Sequence, residues 1–219
     1  DGEATLTILP GTTVRIENDG FLSAGQGVDS TLVAIGTAEQ PIVFTSDEAN
    51  PLPGDWQCVY IGSDGSEIQH AIFEYGGSPC AVNGADEQAM VQIQASVRGV
   101  TNTTFRHSST NGVYIGADGL PRAFENNTFS GNEDGSLRVR ATAVGAVGAA
   151  NTFEDAGDFI LVEPATLTED STWANHGVPY RTPGPLGSNP SVAWTLEAGV
   201  RIEIGGGSLQ IGGPLTAIG

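Results

Sequence analysis

The chain has 219 residues and a net charge of −18, and all eight of its basic residues are arginine. So acidic a surface repels phosphate backbones and anionic lipid, which argues against nucleic-acid binding, and no apolar run reaches the length of a membrane-spanning helix. With 31 glycines, 12 prolines and no sustained helical stripe of apolar residues, the composition fits many short strands joined by turns, an all-β chain. The acidity itself has two readings. One is solubility in a salty or extracellular medium; the other is carboxylates that take up cations such as Ca²⁺.

Residues 5 to 16 read as strand, Pro10-Gly11 turn and strand. A loop over 25 to 30 precedes the strand Leu32-Val33-Ala34-Ile35, and Pro41 to Thr45 forms the next one. Ser46 to Gly54 is an acidic, proline-bearing loop. Residues 56 to 61 and 68 to 75 form the next coil.

From Ala89 to Glu163 the sequence repeats itself. Phe105, Phe129 and Phe153 are 24 apart, as are Ala89, Val113, Leu137 and Leu161, and Val91, Ile115 and Val139. Thr103, Asn127 and Asn151 keep the same step, followed by Thr104, Thr128 and Thr152. A period of this size marks a solenoid whose coils cannot bury their apolar sides alone. The strand alternation inside each coil makes it a β-solenoid with coils of about 24 residues, stacked at ~4.8 Å. Phe73 to Phe105 is 32 residues, eight more than the period, and the insertion 76 to 88 absorbs the surplus.

The two cysteines, Cys58 and Cys80, lie outside any Cys-x-x-Cys pair, so zinc and thioredoxin-type chemistry are disfavoured. A Cys58–Cys80 disulfide would tie the insertion to its coil in an extracellular protein. The first residue is aspartate and no signal peptide precedes it, which fits a processed or trimmed secreted fragment.

After Glu163 the period stops. Residues 194 to 202 repeat the theme of residues 6 to 16, and residues 214 to 219 repeat 31 to 36. The expected organisation is therefore a β-helix over 1-166, a leader or linker over 167-193, and the start of a second, truncated module or tail over 194-219. A parallel solenoid without a cap presents unpaired backbone along its last coil, so head-to-tail self-association through the terminal coils is an expectation.

The phrases Leu6-Thr7-Ile8-Leu9-Pro10-Gly11-Thr12, Leu32 to Thr37 with Gln40 to Thr45, and Gly54-Asp55-Trp56 resemble the opening coils of bacterial secreted right-handed parallel β-helix proteins. These belong to the broad group similar to pectate lyases. Asn126-Asn127-Thr128-Phe129 fits the same group, so the resemblance extends over nearly the whole chain. It implies a right-handed coil and an exported or cell-surface location. It also implies a polysaccharide or cell-surface partner, but it does not fix a reaction.

The hydrolase motifs Asn-Thr-Asp, Asp-Asp and Arg-Ile-Lys of polygalacturonase-like enzymes are missing. An elimination would need an arginine base, since lysine is lacking. The 24-residue register puts Arg138 beside Tyr114 on an outward strand face, with Arg140 close by. An arginine beside a tyrosine suits a sugar carboxylate or ring, and equally a solvated cross-strand pair. The same register sets Glu74, Arg106, Ser130 and Glu154 in one outward row, with Tyr75, His107, Gly131 and Asp155 beside it. Arg106 and His107 with Glu74 or Glu154 are the weak catalytic candidates; the plainer reading is charge pairing between coils. No cofactor is expected, with Asp134, Asp155 and Asp158 the candidate ligands should Ca²⁺ bind, although Asp-Gly pairs are first of all turn formers. The leading expectation is a non-catalytic scaffold, adhesive or spacer module. The rival is a polysaccharide-binding or polysaccharide-degrading lyase or hydrolase.

Overall fold

The computed structural model describes residues 4–26, 30–80, 82, 88–116 and 119–217. Every strand pairing among them is parallel, and successive coils stack into three ladders. The first ladder joins Ala4–Ile8, Ser30–Ile35, Glu67–Gln69, Gly99–Thr101 and Phe124–Glu125. The second joins Thr13–Ile16, Ile42–Ser46, Ala71–Glu74, Thr104–Arg106, Thr128–Ser130 and Thr152–Phe153. The third is the longest: Leu22–Ala24, Val59–Ile61, Ala89–Ile93, Asn111–Ile115, Leu137–Arg140, Ile160–Glu163, Tyr180–Thr182 and Ile202–Ile204. This is the arrangement of a right-handed parallel β-helix, in which each strand buries one face inward and turns the other out.

Phenylalanines fill the interior of the second ladder. Phe44, Phe73, Phe105, Phe129 and Phe153 form one stacked column with ring centroids 4.4, 5.4, 5.3 and 5.1 Å apart. Beside them an asparagine column stitches the coils together. Asn127 Oδ1 accepts from the Thr103 amide at 3.1 Å, and Asn151 Oδ1 accepts from the Asn127 amide at 3.0 Å. The Asn127 and Asn151 side-chain amides in turn donate to the carbonyls of Val100 and Phe124, both at 2.9 Å. Buried backbone groups at the bend are thus satisfied by side chains of the next coil.

Two further columns set the corners. His70, Asn102 and Asn126 follow the first ladder with φ of 47, 52 and 57°. Tyr75, His107 and Gly131 follow the second with φ of 66, 56 and 65°. Left-handed backbone is uncommon for anything but glycine and asparagine, and here it is repeated coil after coil. At Gly131 an added Cβ would also come within 2.7 Å of the His107 ring, so that corner holds glycine on two counts.

The register corrects the simple 24-residue reading of the third ladder. Val113 pairs with Leu137 and Ile115 with Val139, 24 on, but Val91 pairs with Val113, 22 on, and Ala89 with Asn111. A change of two keeps side-chain parity, so the core face stays a core face. Between Leu137 and its partner Ile160 the step is 23. That odd step exchanges faces: Ile160 and Val162 enter the core, while Leu161 turns outward opposite Arg138. A short 3-10 helix, Ala141–Ala146, occupies the preceding bend, where the all-strand expectation had none; Ala141, Ala143 and Val144 are buried there.

The boundaries expected at 166/167 and 193/194 fall inside one continuous ladder. Ile160 pairs with Tyr180, and Tyr180 with Ile202, so residues 167–193 are a coil of the same stack rather than a linker. The other two faces do restart. Thr166–Leu167, Leu186–Ser188 and Leu209–Ile211 make one new ladder, and Ser171–Trp173, Trp194–Leu196 and Leu215–Ala217 the other. At this junction the core exchanges its phenylalanine column for Trp173, Trp194 and Tyr180.

Candidate functional site

The outward face of the third ladder gathers the richest chemistry. Its central row runs Tyr60, Gln92, Tyr114, Arg138, Leu161, Arg181 and Glu203, each hydrogen-bonded strand to strand with the next. The first three point away from the core by strand alternation, yet they are only 7, 0 and 1 % exposed. Part of their cover is the insertion. The Gly77 and Ser78 amides bond the carbonyls of Gln57 and Trp56, and Cys80 and Val82 pack with Cys58 and Tyr60. The expected Cys58–Cys80 disulfide is formed and clamps the insertion there. Of residues 76 to 88, those at 81 and 83–87 lie outside the described residues.

The row emerges at Arg138. Its guanidinium lies 5.1 Å over the Tyr114 ring and bonds Glu163 Oε1 through Nε at 2.8 Å and Nη2 at 2.5 Å. Glu163 Oε2 takes Arg140 Nε at 2.9 Å and the Tyr114 hydroxyl at 3.1 Å. The three residues expected as a sugar-binding group are therefore together, and Glu163, which sequence reasoning missed, is their hub. The parity slip before Ile160 hid it: the odd step puts Glu163 opposite Arg140. With its side chain 15 % exposed, Glu163 is a half-buried charge saturated by two cations.

Two strands further on the pattern repeats with more solvent. Arg181 donates to Glu203 Oε2 at 2.6 Å, and Arg201 Nε lies 3.2 Å from Glu203 Oε1. The Arg181 hydrogen bond holds the Glu203 carboxyl below the usual carboxylate range. Arg181 also stacks 4.3 Å over the Phe159 ring. Phe159, Leu161, Pro183 and Ile204 line an open, mostly apolar dish of about 350 Å³, with Arg181 and Glu203 at its rim. Four of the eight arginines thus share two glutamates on one face of a chain of net charge −18.

The other expected groups are distributed as follows. Arg106 grips Glu74 Oε2 through Nε at 2.7 Å and Nη2 at 2.5 Å, while the Thr45 hydroxyl donates to Glu74 Oε1 at 3.0 Å. His107 stacks on Tyr75 with centroids 5.3 Å apart, one corner away from that pair, and Glu154 is exposed. Asp155 accepts from the Gly131 amide at 2.5 Å. Asp158 is buried, where it accepts from the Ser136 hydroxyl and from the amides of Ser136 and Phe159. Asp134 lies exposed on its turn. Asp155 and Asp158 thus fasten their coil to the one before it, and among the described residues no group of three His, Cys, Asp or Glu side chains is placed to hold a metal ion.

Residues 1–105 match the family model described as the pectate-lyase like beta helix domain. The match ends at Phe105, in the middle of the phenylalanine column, and the same ladders run on past it. The chain is a parallel β-helix repeat protein. Comparison with curated proteins and with solved structures gave no match. The third ladder continues through the second half, and the arginine face and the Trp173–Trp194 core both belong to coils beyond the matched segment.

Proposed function

We propose that this β-helix is a non-catalytic scaffold module of an exported protein, holding other parts of a cell surface or secreted assembly at a fixed spacing. The observation that carries this reading is the pairing of strand-face charges within the stack itself: Arg106 with Glu74, Arg138 and Arg140 with Glu163, Arg181 and Arg201 with Glu203. An elimination base must give up its proton to accept another, and a guanidinium held in a charge-assisted bond is fixed in its protonated form. All of these except Arg201 with Glu203 tie one coil to another, which is what a rod needs. The disulfide agrees with an oxidising compartment.

A second reading is favoured by one feature, the arginine-rich outward row from Arg138 through Leu161 to Arg181. Its guanidiniums are two ladder steps apart, ~10 Å, and suit the carboxylates of a linear acidic polysaccharide laid along the axis. A panel of neutral and acidic polysaccharides, scored for unsaturated product and for binding with and without Ca²⁺, tests both. The scaffold reading expects no product from any polymer. Saturable binding of acidic polymers alone would transfer the assignment to the second reading, and turnover would overturn the first.

A further inference from the structure

The loop between Ile42–Ser46 and Val59–Ile61 is built to hold one apolar side chain out in water. Asp55 Oδ2 accepts from the Ser46 hydroxyl at 2.7 Å and from the Leu52 amide at 3.0 Å, and the Glu48 amide donates to Ser46 Oγ at 3.0 Å. The Gly54 and Asp55 amides anchor the loop to the carbonyls of Gly76 and Tyr75, at 3.1 and 3.0 Å. Pro51 and Pro53 flank Leu52 and restrict its backbone further. At the apex Leu52 is 65 % exposed, with the carboxylates of Asp47 and Glu48 on the same loop. Asp47 has only a loose partner, Arg15 at 3.9 Å, and both side chains are more than half exposed.

A single exposed leucine is ordinary, but one on a loop fixed by five hydrogen bonds is pre-organised, and pre-organisation lowers the entropic cost of docking. Near the other end of the helix lies a surface of opposite character. The dish of Phe159, Leu161, Pro183 and Ile204 is open, apolar and about 350 Å³, ample for a branched aliphatic side chain. Its rim carries Arg181, and Arg201 shares Glu203 with it, so two cations there meet one anion. Most of the remaining surface of so acidic a chain repels Asp47 and Glu48; this face attracts them.

We propose that copies of this chain associate through a heterologous contact in which Leu52 of one copy seats in the Phe159–Ile204 dish of the next, with Asp47 and Glu48 against Arg181 and Arg201. The two surfaces are different and lie at different coils, so one copy can use both at once and the contact propagates into rows or closes into a ring. It differs from an edge-to-edge joining of terminal coils: the dish includes Ile204 of the last third-ladder strand but opens on that ladder's outward face, and the loop lies at a bend of the second coil.

Light scattering and sedimentation of the chain over a wide concentration range test this. The wild-type mass rises with concentration. Leu52→Asp stays monomeric throughout, with little change in thermal midpoint, because the side chain is 65 % exposed and outside the core. Arg201→Glu weakens association about tenfold, the size of one well-placed charge contact, and Glu48→Arg in the same chain restores it. A wild-type chain that is monomeric at every concentration overturns the proposal. Association that survives both Leu52→Asp and Arg201→Glu overturns it too. Neither outcome touches the scaffold reading, which rests on the polysaccharide panel.

Discussion

The hydroxyl of Tyr114 reaches across an entire strand to Glu163, two ladder steps away, and meets its Oε2 at 3.1 Å. Arg138 lies between them, stacked on the ring and bonded to the other carboxylate oxygen. Three consecutive strands of the third ladder are therefore fastened by one carboxylate. Replacing it with an amide in Glu163→Gln keeps the shape but leaves Arg138 and Arg140 without a counter-charge. The expected loss is about 1–3 kcal/mol of stability, the range for hydrogen bonds to charged groups in partly buried sites. The two released guanidiniums should also tighten binding of any acidic polymer. Denaturant titration and polymer binding on the same variant check both; an undiminished midpoint would show that the hub is ornamental to the fold.

Phe129 stands in the middle of a five-ring column, fully buried, with neighbours at 5.3 and 5.1 Å. The coils above and below cannot close on the gap without shortening the hydrogen-bonded ladder, so Phe129→Ala should cost ~3–5 kcal/mol. Phe153 ends the column and is only partly buried, so Phe153→Ala should cost less than Phe129→Ala. Equal costs for the two would contradict the column as the seat of the core.

That column was legible in the sequence because its period is unbroken at residues 105, 129 and 153, and the asparagine column was legible for the same reason. What escaped had physical causes. The left-handed corners fall on His70, Tyr75 and His107, residues with no special turn chemistry, so only the stack above and below enforces them. Glu163 escaped because one missing residue in the preceding bend inverts strand parity, which a fixed period cannot register; the inward pair Ile160 and Val162 was the available signal. The restart after residue 163 was visible as lost periodicity, but the third ladder runs straight through it, since ladder pairing needs only matched strands and not a constant coil length.

The disulfide encloses the segment from Cys58 to Cys80, a separation of 22 residues. Closing a loop of that size in the unfolded chain should stabilise the fold by roughly 3 kcal/mol in the chain-entropy account. The double variant Cys58→Ala, Cys80→Ala is therefore expected to unfold at lower denaturant. It should also expose Tyr60, now 7 % exposed beneath the clamped insertion, to tyrosine-modifying reagents. Unchanged modification of Tyr60 in that variant would mean that packing alone holds the insertion down.

At the junction of the two core types His176 lies edge-on to Phe153, at 5.7 Å, and to Tyr180, at 6.0 Å. Among the described residues neither ring nitrogen has a hydrogen-bond partner, and burial lowers its pKa from 6.5 to about 4, against a smaller opposing pull from Glu197. The same burial pushes the Tyr180 phenol upward, and its hydroxyl donates to the Ala174 carbonyl at 2.7 Å. Below its ordinary pKa the unfolded chain protonates His176 while the folded chain keeps it neutral, so the unfolded state binds more protons between the two pKa values. The stability that depends on this histidine is full above pH 6.5, falls as the pH drops toward about 4, and is flat below that. The whole shift corresponds to about 3 kcal/mol at most, since each pKa unit is worth ~1.4 kcal/mol. In His176→Phe the ring stays in its aromatic surroundings without a titrating group, so the variant should lose this part of the acid sensitivity and keep the rest, which comes from carboxylates. Denaturant midpoints of both chains, followed from neutral pH down through this window, give the comparison. Parallel curves would show that His176 is already solvated in the folded state and that the seam does not sense pH.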